Sequence, residues 1–243
     1  MSVPPGAFIG HYCKTNSVYE SHLSTRLFGS LKEGDVFVDI GANVGLYSLS
    51  AARVVGPTGK VIAVEADPRN AQCIHHGAAL NGFHNVSVWP IAASDQLRPE
   101  ALLIDAASNS GVRSLDTVQE ANYHLTIGCP LDLLLENEVR VDVIKIDIEA
   151  REHRAMIGAR KTLERFRPVV YSEFTPHAMR NVGGYEPSSY LEYFFDLGYE
   201  AFVNSYPDGN ILPFGKDAAG LFALLSEVRY KEIRYLDIMF VHA

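Results

Sequence analysis

The amino-acid sequence predicts an α/β fold in which a mainly parallel sheet is covered by helices on both faces. Short apolar runs of strand length alternate with segments of helical length along most of the chain. Turn-forming residues such as Gly56-Pro57 and Asn81-Gly82 separate these segments. Near the C-terminus the alternation stops, and the final apolar runs favour a closing antiparallel hairpin.

The predicted elements can be placed along the chain by their periodicity. Strands are expected at residues 36–40, 60–66, 85–93, 141–147, 168–174, 199–204, 220–225 and 236–241. Helices are expected at residues 18–31, 46–55, 68–81, 149–166 and 187–197. Residues 1–34 would form a helical lead-in, and residues 35–243 a single domain. The irregular stretch 96–130 would be an insertion with a functional role, because long structureless connections are uncommon in compact domains.

Composition limits the classes of function. A chain of 243 residues with 47% hydrophobic and 21% charged residues is typical of a globular protein. The net charge of -8 argues against a nucleic-acid partner, since binding to phosphates needs a basic surface. No apolar run approaches the roughly 20 residues that span a bilayer. Three cysteines without metal-ligand spacing, and a start unlike a signal peptide, predict a cytoplasmic protein.

A glycine-containing turn, DIGANVG, connects the first predicted strand to the first helix after it. Gly41 and Gly45 would let the backbone bend sharply and approach a ligand closely. In an open parallel sheet, ligands bind beyond the carboxyl ends of the strands, where the order of the strands reverses. The turn therefore predicts a ligand site, although a plain tight connection is the alternative.

Two carboxylates near this turn narrow the class of ligand. Glu65 ends the second strand, where an acid can accept hydrogen bonds from ribose hydroxyls, and Asp39 lies in the first strand, beside the turn. A dinucleotide fingerprint needs glycine at the first, third and sixth positions of the turn, which here are Gly41, Asn43 and Leu46. A negative Asp39 also suits a positively charged ligand better than a pyrophosphate. These features favour a cationic nucleoside such as S-adenosylmethionine over NAD.

Five segments occur in the order and spacing of a known family: DVFVDIGANVGLYSL, VIAVEADP, IAASD, VDVIKIDIEAREHRAMIGARKTL and RPVVYSEF. Over residues 19–174 the chain resembles the FkbM-type methyltransferases, a branch of the S-adenosylmethionine-dependent methyltransferases. The resemblance implies a Rossmann-like, doubly wound sheet of seven strands, with an antiparallel C-terminal strand. The family more often has Glu-Gly-x-Glu after the fourth strand and a threonine before Leu131, whereas this chain has Ala150 and Cys129-Pro130.

The resemblance also implies a set of residues that bind the cofactor. Residues at the methionine end would be Asp39, Gly41, Asn43 and Gly45. Glu65 would hold the ribose, and Asp95 would reach the amino group of the adenine.

Three further acids are candidates for the chemistry. Asp147, Glu149 and Glu173 follow or end the fourth and fifth strands, so the sheet should bring them to one edge. There they could position an acceptor hydroxyl or take its proton. A pair such as Asp147 and Glu173 could also hold a divalent metal, although nothing in the spacing requires one.

The sequence thus predicts an S-adenosylmethionine-dependent methyltransferase. We expect it to methylate a hydroxyl of a small molecule, such as a natural product or a sugar unit, with neither nucleic acid nor membrane as a partner; a homo-oligomer is compatible with the sequence. Two alternatives stay open at this point. One is an NAD-linked oxidoreductase, and the other is a non-catalytic binding protein on the same fold. The sequence does not separate O- from N-methylation.

Overall fold

A computed structural model describes residues 21–103, 111–113, 115, 123–205, 209–227, 230 and 234–243. Its strands are β1 Val36–Ile40, β2 Lys60–Val64, β3 Val86–Trp89, β4 Ala92–Ala93, β5 Arg98–Leu103, β6 Gly111–Arg113, β7 His124–Cys129, β8 Val143–Ile146, β9 Val169–Phe174, β10 Tyr199–Asn204, β11 Ile211–Gly215 and β12 Leu236–His242. Its α-helices are α1 Ser21–Ser30, α2 Leu46–Val55, α3 Pro68–Asn81, α4 Leu131–Leu134, α5 Glu152–Ile157, α6 Arg160–Phe166, α7 Pro176–Ala178, α8 Pro187–Asp196 and α9 Ala218–Leu225. A short π-helix, Met179–Gly183, follows α7.

The main sheet has eight strands in the order β11-β10-β12-β9-β8-β1-β2-β3. The five strands from β9 to β3 are parallel, while β12 runs antiparallel to both β9 and β10. The predicted parallel sheet with an antiparallel C-terminal strand is therefore confirmed, but the predicted count of seven strands is wrong. The additional strand is β11, which pairs with β10 at the edge of the sheet. Pro213 weakens its strand signal, and an edge strand tolerates proline because one side of its backbone needs no partner.

Side chains from the sheet pack against helices on both faces, which confirms the doubly wound prediction. Phe37, Val61 and Val143 belong to one buried cluster together with residues of α1 and α2. Alternate residues of the same strands belong to a second cluster with residues of α5, α6 and α8. Successive side chains of a strand point to opposite faces. Asp39 and Lys145, two residues beyond Phe37 and Val143, therefore lie on the face that α2 covers.

Two predicted elements differ in kind or continuity. Residues 220–225 were expected to form a strand but lie in α9, whose N-terminus is capped by the Asp217 side chain accepting the Gly220 N–H at 2.9 Å. The predicted helix 149–166 is divided into α5 and α6 at Gly158. A Cβ on Gly158 would lie 2.0 Å from the Ser94 carbonyl oxygen, so this close contact needs glycine. Asp132 then caps the start of α6 by accepting the N–H groups of Lys161 and Thr162 at 3.0 and 2.8 Å.

The region predicted to be irregular contains a second sheet of order β4-β7-β5-β6. Its β4 takes the end of the predicted third strand, 85–93, so that β3 stops at Trp89. Residues 104–110, 114 and 116–122 lie outside the described part of the insertion. The sequence analysis did not predict this sheet, because strands of two to six residues are too short to give a clear alternation of apolar and polar residues.

The predicted N-terminal helix agrees with α1 over residues 21–30, whereas residues 1–20 lie outside the described residues. The division into a lead-in and one domain stays a prediction. Within the described ranges, no helix has the length and apolar character needed to cross a membrane.

Candidate active site

The site is built at the point where the strand order reverses. The chain passes from β1 outward through β2 to β3, whereas β8 and β9 lie on the other side of β1. Gly41, at the end of β1, has a φ of 77°, and a Cβ there would lie 2.0 Å from the Asp147 carbonyl oxygen. Only glycine lets the end of β1 pass so close to the backbone that follows β8. A crevice at such a reversal is the expected ligand site of an open α/β sheet.

A cavity opens at this reversal, which we call the switch-point cavity. The space within it, counted together with the open solvent at its mouth, is about 940 Å³. Its lining runs across the carboxyl ends of four strands in turn. The lining residues are Ile40, Gly41, Ala42, Asn43, Leu46, Tyr47, Val64, Glu65, Ala66, Asn70, Ile91, Ala92, Ala93, Val112, Lys145, Asp147, Ile148, Glu149 and Arg151.

Glu65 is the buried acid of this lining, and the backbone fixes its position. Its two carboxylate oxygens accept the N–H groups of Asn43, at 2.7 Å, and of Asp67, at 2.8 Å. Burial raises the pKa of Glu65 to about 7, although these two N–H groups oppose the rise. A carboxylate has about four lone-pair sites, so Glu65 keeps acceptor capacity for ligand hydroxyls beyond its backbone partners.

Asn43 shapes the turn that holds Glu65. Its φ of 50° is left-handed, a conformation that asparagine tolerates better than most residues. Its side-chain oxygen accepts the Val44 N–H at 2.8 Å, which satisfies one backbone donor near the start of α2. Gly45, also left-handed with a φ of 90°, is the N-cap residue that immediately precedes α2. The turn therefore keeps the Asn43 N–H aimed at Glu65.

Asp39 lies behind the turn and is fully buried. Its Oδ2 accepts the Ser48 hydroxyl at 2.6 Å. Its Oδ1 has no hydrogen-bond partner among the described residues, and the ammonium of Lys145 lies 3.9 Å away. Burial raises the pKa of Asp39, while Lys145 and Ser48 oppose the rise. A buried acceptor left in this state favours a positive charge close by.

The loop after β8 carries two of the predicted acids into the cavity. Asp147 and Glu149 both line it. Glu149 and Ala150 have φ values of 55° and 70°, so two successive non-glycine residues are left-handed. Such residues cost of order 1–3 kcal/mol each and tend to occur at functional sites. Ala150 thus adopts the backbone conformation that the glycine of the related motif would reach without strain.

Glu173 lies beside Asp147, although it is not among the lining residues. Ile146 of β8 is paired with Ser172 of β9, so Asp147 and Glu173 follow at equal height, and Glu173 is paired with Asp237 of β12. The Thr175 hydroxyl donates a hydrogen bond of 2.6 Å to Glu173. Burial, followed by the charge of Asp147, raises the pKa of Glu173 to about 8.

Glu152, at the start of α5, adds a carboxyl group to this edge of the sheet. Its Oε1 accepts the Ile148 N–H at 3.0 Å, whereas Oε2 is buried with no hydrogen-bond partner in the described ranges. Burial raises the pKa of Glu152 to about 7, and Asp147 adds to the rise. Glu152 and Glu173 therefore hold their protons more strongly than ordinary glutamates do.

Asp95 is held at the margin by an ion pair. Its Oδ1 accepts hydrogen bonds from Arg154 at 2.9 Å and 2.5 Å. Burial would raise the pKa of Asp95, but the Arg154 guanidinium outweighs it and keeps the pKa below its ordinary value. Asp95 is not among the lining residues, which include Ala93 two positions before it.

The structure thus brings together Gly41, Asn43, Glu65, Asp147 and Glu149 around one cavity. Asp39, Gly45, Asp95 and Glu173 are predicted site residues that adjoin it without lining it. The roles of all nine residues stay predictions.

Sequence reasoning missed Lys145, Tyr47, Asn70 and Arg151, which also line the cavity. A signal for Lys145 was available. It interrupts an apolar strand two positions before Asp147, and residues two apart share a face of a strand.

The predicted option of a metal at Asp147 and Glu173 finds no support. Across the ranges that the structure describes, no group of three or more His, Cys, Asp or Glu is arranged to hold a metal ion.

Comparisons with known proteins agree with this fold. The family model of the methyltransferase FkbM domain matches residues 39–201, which is more than half of the chain. The crystal structure of methyltransferase FkbM from Methylobacillus flagellatus KT superposes with a TM-score of 0.53 at 16% identity, covering 87% of this chain and 44% of that one. SMU.1697c from Streptococcus mutans, in complex with SAH, has a TM-score of 0.50 at 8% identity, covering 92% of this chain and 96% of that one.

A curated relative matches over a shorter stretch. The 23S rRNA (uracil(1939)-C(5))-methyltransferase RlmD of Acinetobacter baylyi is 37% identical over 59 residues, which are 24% of this chain and 13% of that protein. The chain thus spans less than half the length of both the Methylobacillus protein and this relative. The likeness to solved structures shows the fold, and the match of the family model over residues 39–201 shows that the chain belongs to the FkbM methyltransferase family.

Proposed function

We propose that this protein is an S-adenosylmethionine-dependent methyltransferase that methylates a hydroxyl of a small molecule. The observation that carries the proposal is the position of Glu65 in the lining of the switch-point cavity. Two backbone N–H groups anchor its carboxylate, which keeps acceptor capacity on the cavity side. A fixed acid at the end of the second strand is what a ribose needs.

The residues present fit the rest of this cofactor. Asp39 offers a buried carboxylate oxygen that has no hydrogen-bond partner in the described part of the chain, on the side where the positive sulfur of the cofactor would lie. Asn43 and Leu46 occupy turn positions where a dinucleotide site needs glycine, which disfavours NAD. The Streptococcus mutans protein of similar fold was solved with SAH, the product form of the same cofactor. Asp95 would contact the adenine, and Gly41 and Gly45 would border the methionine end.

Bound in this cavity, S-adenosylmethionine would supply a methyl group already activated by the positive charge on its sulfur. The protein then has to align the acceptor and accept its proton. Glu173 suits the second role, because its raised pKa of about 8 makes its carboxylate a stronger base than an ordinary glutamate. Asp147 and Glu149 line the cavity and would orient the acceptor. An oxygen acceptor is favoured because a hydroxyl, unlike a neutral amine, needs such a base.

The acceptor class follows from the charges around the site. Carboxyl groups predominate on the side of β8 and β9, so a polyanionic acceptor such as a nucleic acid would be repelled. We propose a small hydroxylated acceptor, in the class of natural products and sugar units. Cys73 and Cys129 are free thiols, which supports action in the reducing cytoplasm.

The test begins with binding and then moves to transfer. Calorimetric titration of the purified protein with SAH should give a saturable site, whereas NAD should give no heat of binding. Mass spectrometry would then follow a panel of hydroxylated small molecules for a mass increase of one methyl group in the presence of S-adenosylmethionine. Binding of NAD without SAH would overturn the proposal. Saturable SAH binding without any methylated product across hydroxyl and amine panels would favour the non-catalytic alternative.

A further inference from the structure

Lys145 is a buried ammonium group in the lining of the switch-point cavity. It lies on β8 directly beside Asp39 of β1, its register partner. Its Nζ lies 3.9 Å from Asp39 Oδ1, 3.4 Å from Asp147 Oδ2 and 5.0 Å from the centroid of the Tyr47 ring. Only 6% of its side chain is exposed. Burying an ammonium group is costly, and the two neighbouring carboxylates offset that cost, so the fold positions Lys145 specifically between them.

Lys145 marks the charged end of the cavity. The opposite end, counted along the strand order β8-β1-β2-β3, is lined by the apolar residues Ile91, Ala92 and Ala93, which follow β3 in the chain. Glu65 lies between these two ends. A nucleoside whose ribose is held by Glu65 would place its flat base at the apolar end and its charged amino-acid arm at the end with Lys145.

The proposed cofactor changes charge during the reaction at this end. The methyl donor carries a positive sulfur, and the demethylated product SAH carries a neutral one. A positive charge on Lys145 disfavours the donor form relative to the product form, because like charges repel strongly in a partly buried site. The carboxyl groups of Asp147 and Asp39, 3.4 Å and 3.9 Å from the Lys145 Nζ, have the opposite effect when ionised, and Asp147 is the one of the two that lines the cavity.

Resting on the proposed function, we propose that Lys145 and Asp147 together set the discrimination between methyl donor and demethylated product. Lys145 destabilises the positive charge on the sulfur in the ground state. An interaction that is less unfavourable in the transition state than in the ground state lowers the barrier. Asp147 limits this effect, so that the donor still binds. Lys145 thereby becomes a determinant of catalysis as well as of cofactor selectivity.

The experiment compares dissociation constants for S-adenosylmethionine and SAH, measured by calorimetry, in matched variants. Lys145→Met should shift the ratio of the two constants in favour of the methyl donor by about tenfold, since a repulsive unit charge is removed. Asp147→Asn, at a side chain that is 41% exposed, should shift the ratio the other way. Lys60→Met is the control: this lysine begins β2, at the amino end of the strand, and its ratio should equal that of the wild type.

Each outcome separates this proposal from the proposed function. If the wild type binds both compounds but Lys145→Met and Asp147→Asn leave the ratio within twofold of the wild type, the role of Lys145 is rejected while the cofactor site stands. If the wild type binds neither compound, both proposals fall. Lys145→Gln, which keeps a polar group beside Asp39, replaces the methionine variant should that one fail to fold. The same shift toward the donor is expected of it, and an unchanged ratio would overturn the proposal.

Discussion

Replacing Glu65 by glutamine tests the cofactor site through a change of a few atoms. In the native protein both carboxylate oxygens accept backbone N–H groups, at 2.7 and 2.8 Å. Glutamine must turn its NH₂ group toward either Asn43 or Asp67, so that two donors face each other. A buried donor left without an acceptor costs about 1–3 kcal/mol. At about 2–4 °C per kcal/mol for a chain of this size, the melting temperature should fall by roughly 2–12 °C.

Cofactor affinity should fall as well. A hydrogen bond from a ribose hydroxyl to a charged acceptor contributes about 1.5–3 kcal/mol, so the dissociation constant for SAH should rise by about 10- to 150-fold. Calorimetry gives the affinity, and scanning fluorimetry without ligand gives the stability. Glu192→Gln, at an exposed position of α8, is the matched control and should change neither quantity. An SAH affinity within threefold of the wild type in a folded Glu65→Gln variant would refute the assignment of Glu65 to the ribose.

Three further predictions concern the acceptor side and the stability of the fold. Glu173→Gln should leave SAH affinity within twofold of the wild type and lower turnover by about 100-fold or more. Turnover of the wild type should rise with pH until about 8, where Glu173 loses its proton. A pH profile that is the same in the variant as in the wild type would exclude Glu173 as the base. The pKa of Glu152 in the folded protein is about 7 against an ordinary 4.5, so its contribution to stability is complete below pH 4.5 and lost as the pH rises through 7. The melting temperature should therefore be lower at pH 8 than at pH 5, and it should depend less steeply on pH in Glu152→Gln. An equal dependence on pH in the two proteins would contradict the raised pKa. Arg167→Gly relieves a left-handed φ of 50° and should raise the unfolding free energy by about 1 kcal/mol in denaturant titrations, whereas a loss of stability would show that the strain is absent.

The parallel part of the fold could be predicted because its strands are buried on both faces. Val36–Ile40 and Val143–Ile146 are continuous apolar runs apart from Asp39 and Lys145, and such runs bounded by turn residues are strong strand signals. The apolar segment of α9 has no comparable signal that separates a helix from a strand. Residues 220–225 suit a strand by composition, and it is the Asp217 cap that starts a helix there. The composition of such a segment does not show whether a capping residue will start a helix or a neighbouring strand will pair with it.

The grouping of the turn residues and Glu65 around one cavity was also predictable from the sequence, since turn glycines and strand-end acids are local features. Gly41, Asn43 and Glu65 meet because β1 and β2 are neighbouring parallel strands whose carboxyl ends lie at the same edge of the sheet. The ion pair of Asp95 with Arg154 could not be predicted from the sequence, because the two residues are 59 positions apart and meet only through the tertiary packing of α5. The left-handed Ala150 was equally hidden, since alanine gives no local signal for a positive φ.

The most direct measurement of the central claim is a crystal structure of the protein with SAH. We expect density in the switch-point cavity, with both ribose hydroxyls within hydrogen-bond distance of Glu65, the adenine against Ala92 and Ala93, and the sulfur on the side of Lys145. A cavity that stays free of ligand at saturating SAH, or a ligand bound away from Glu65, would contradict it.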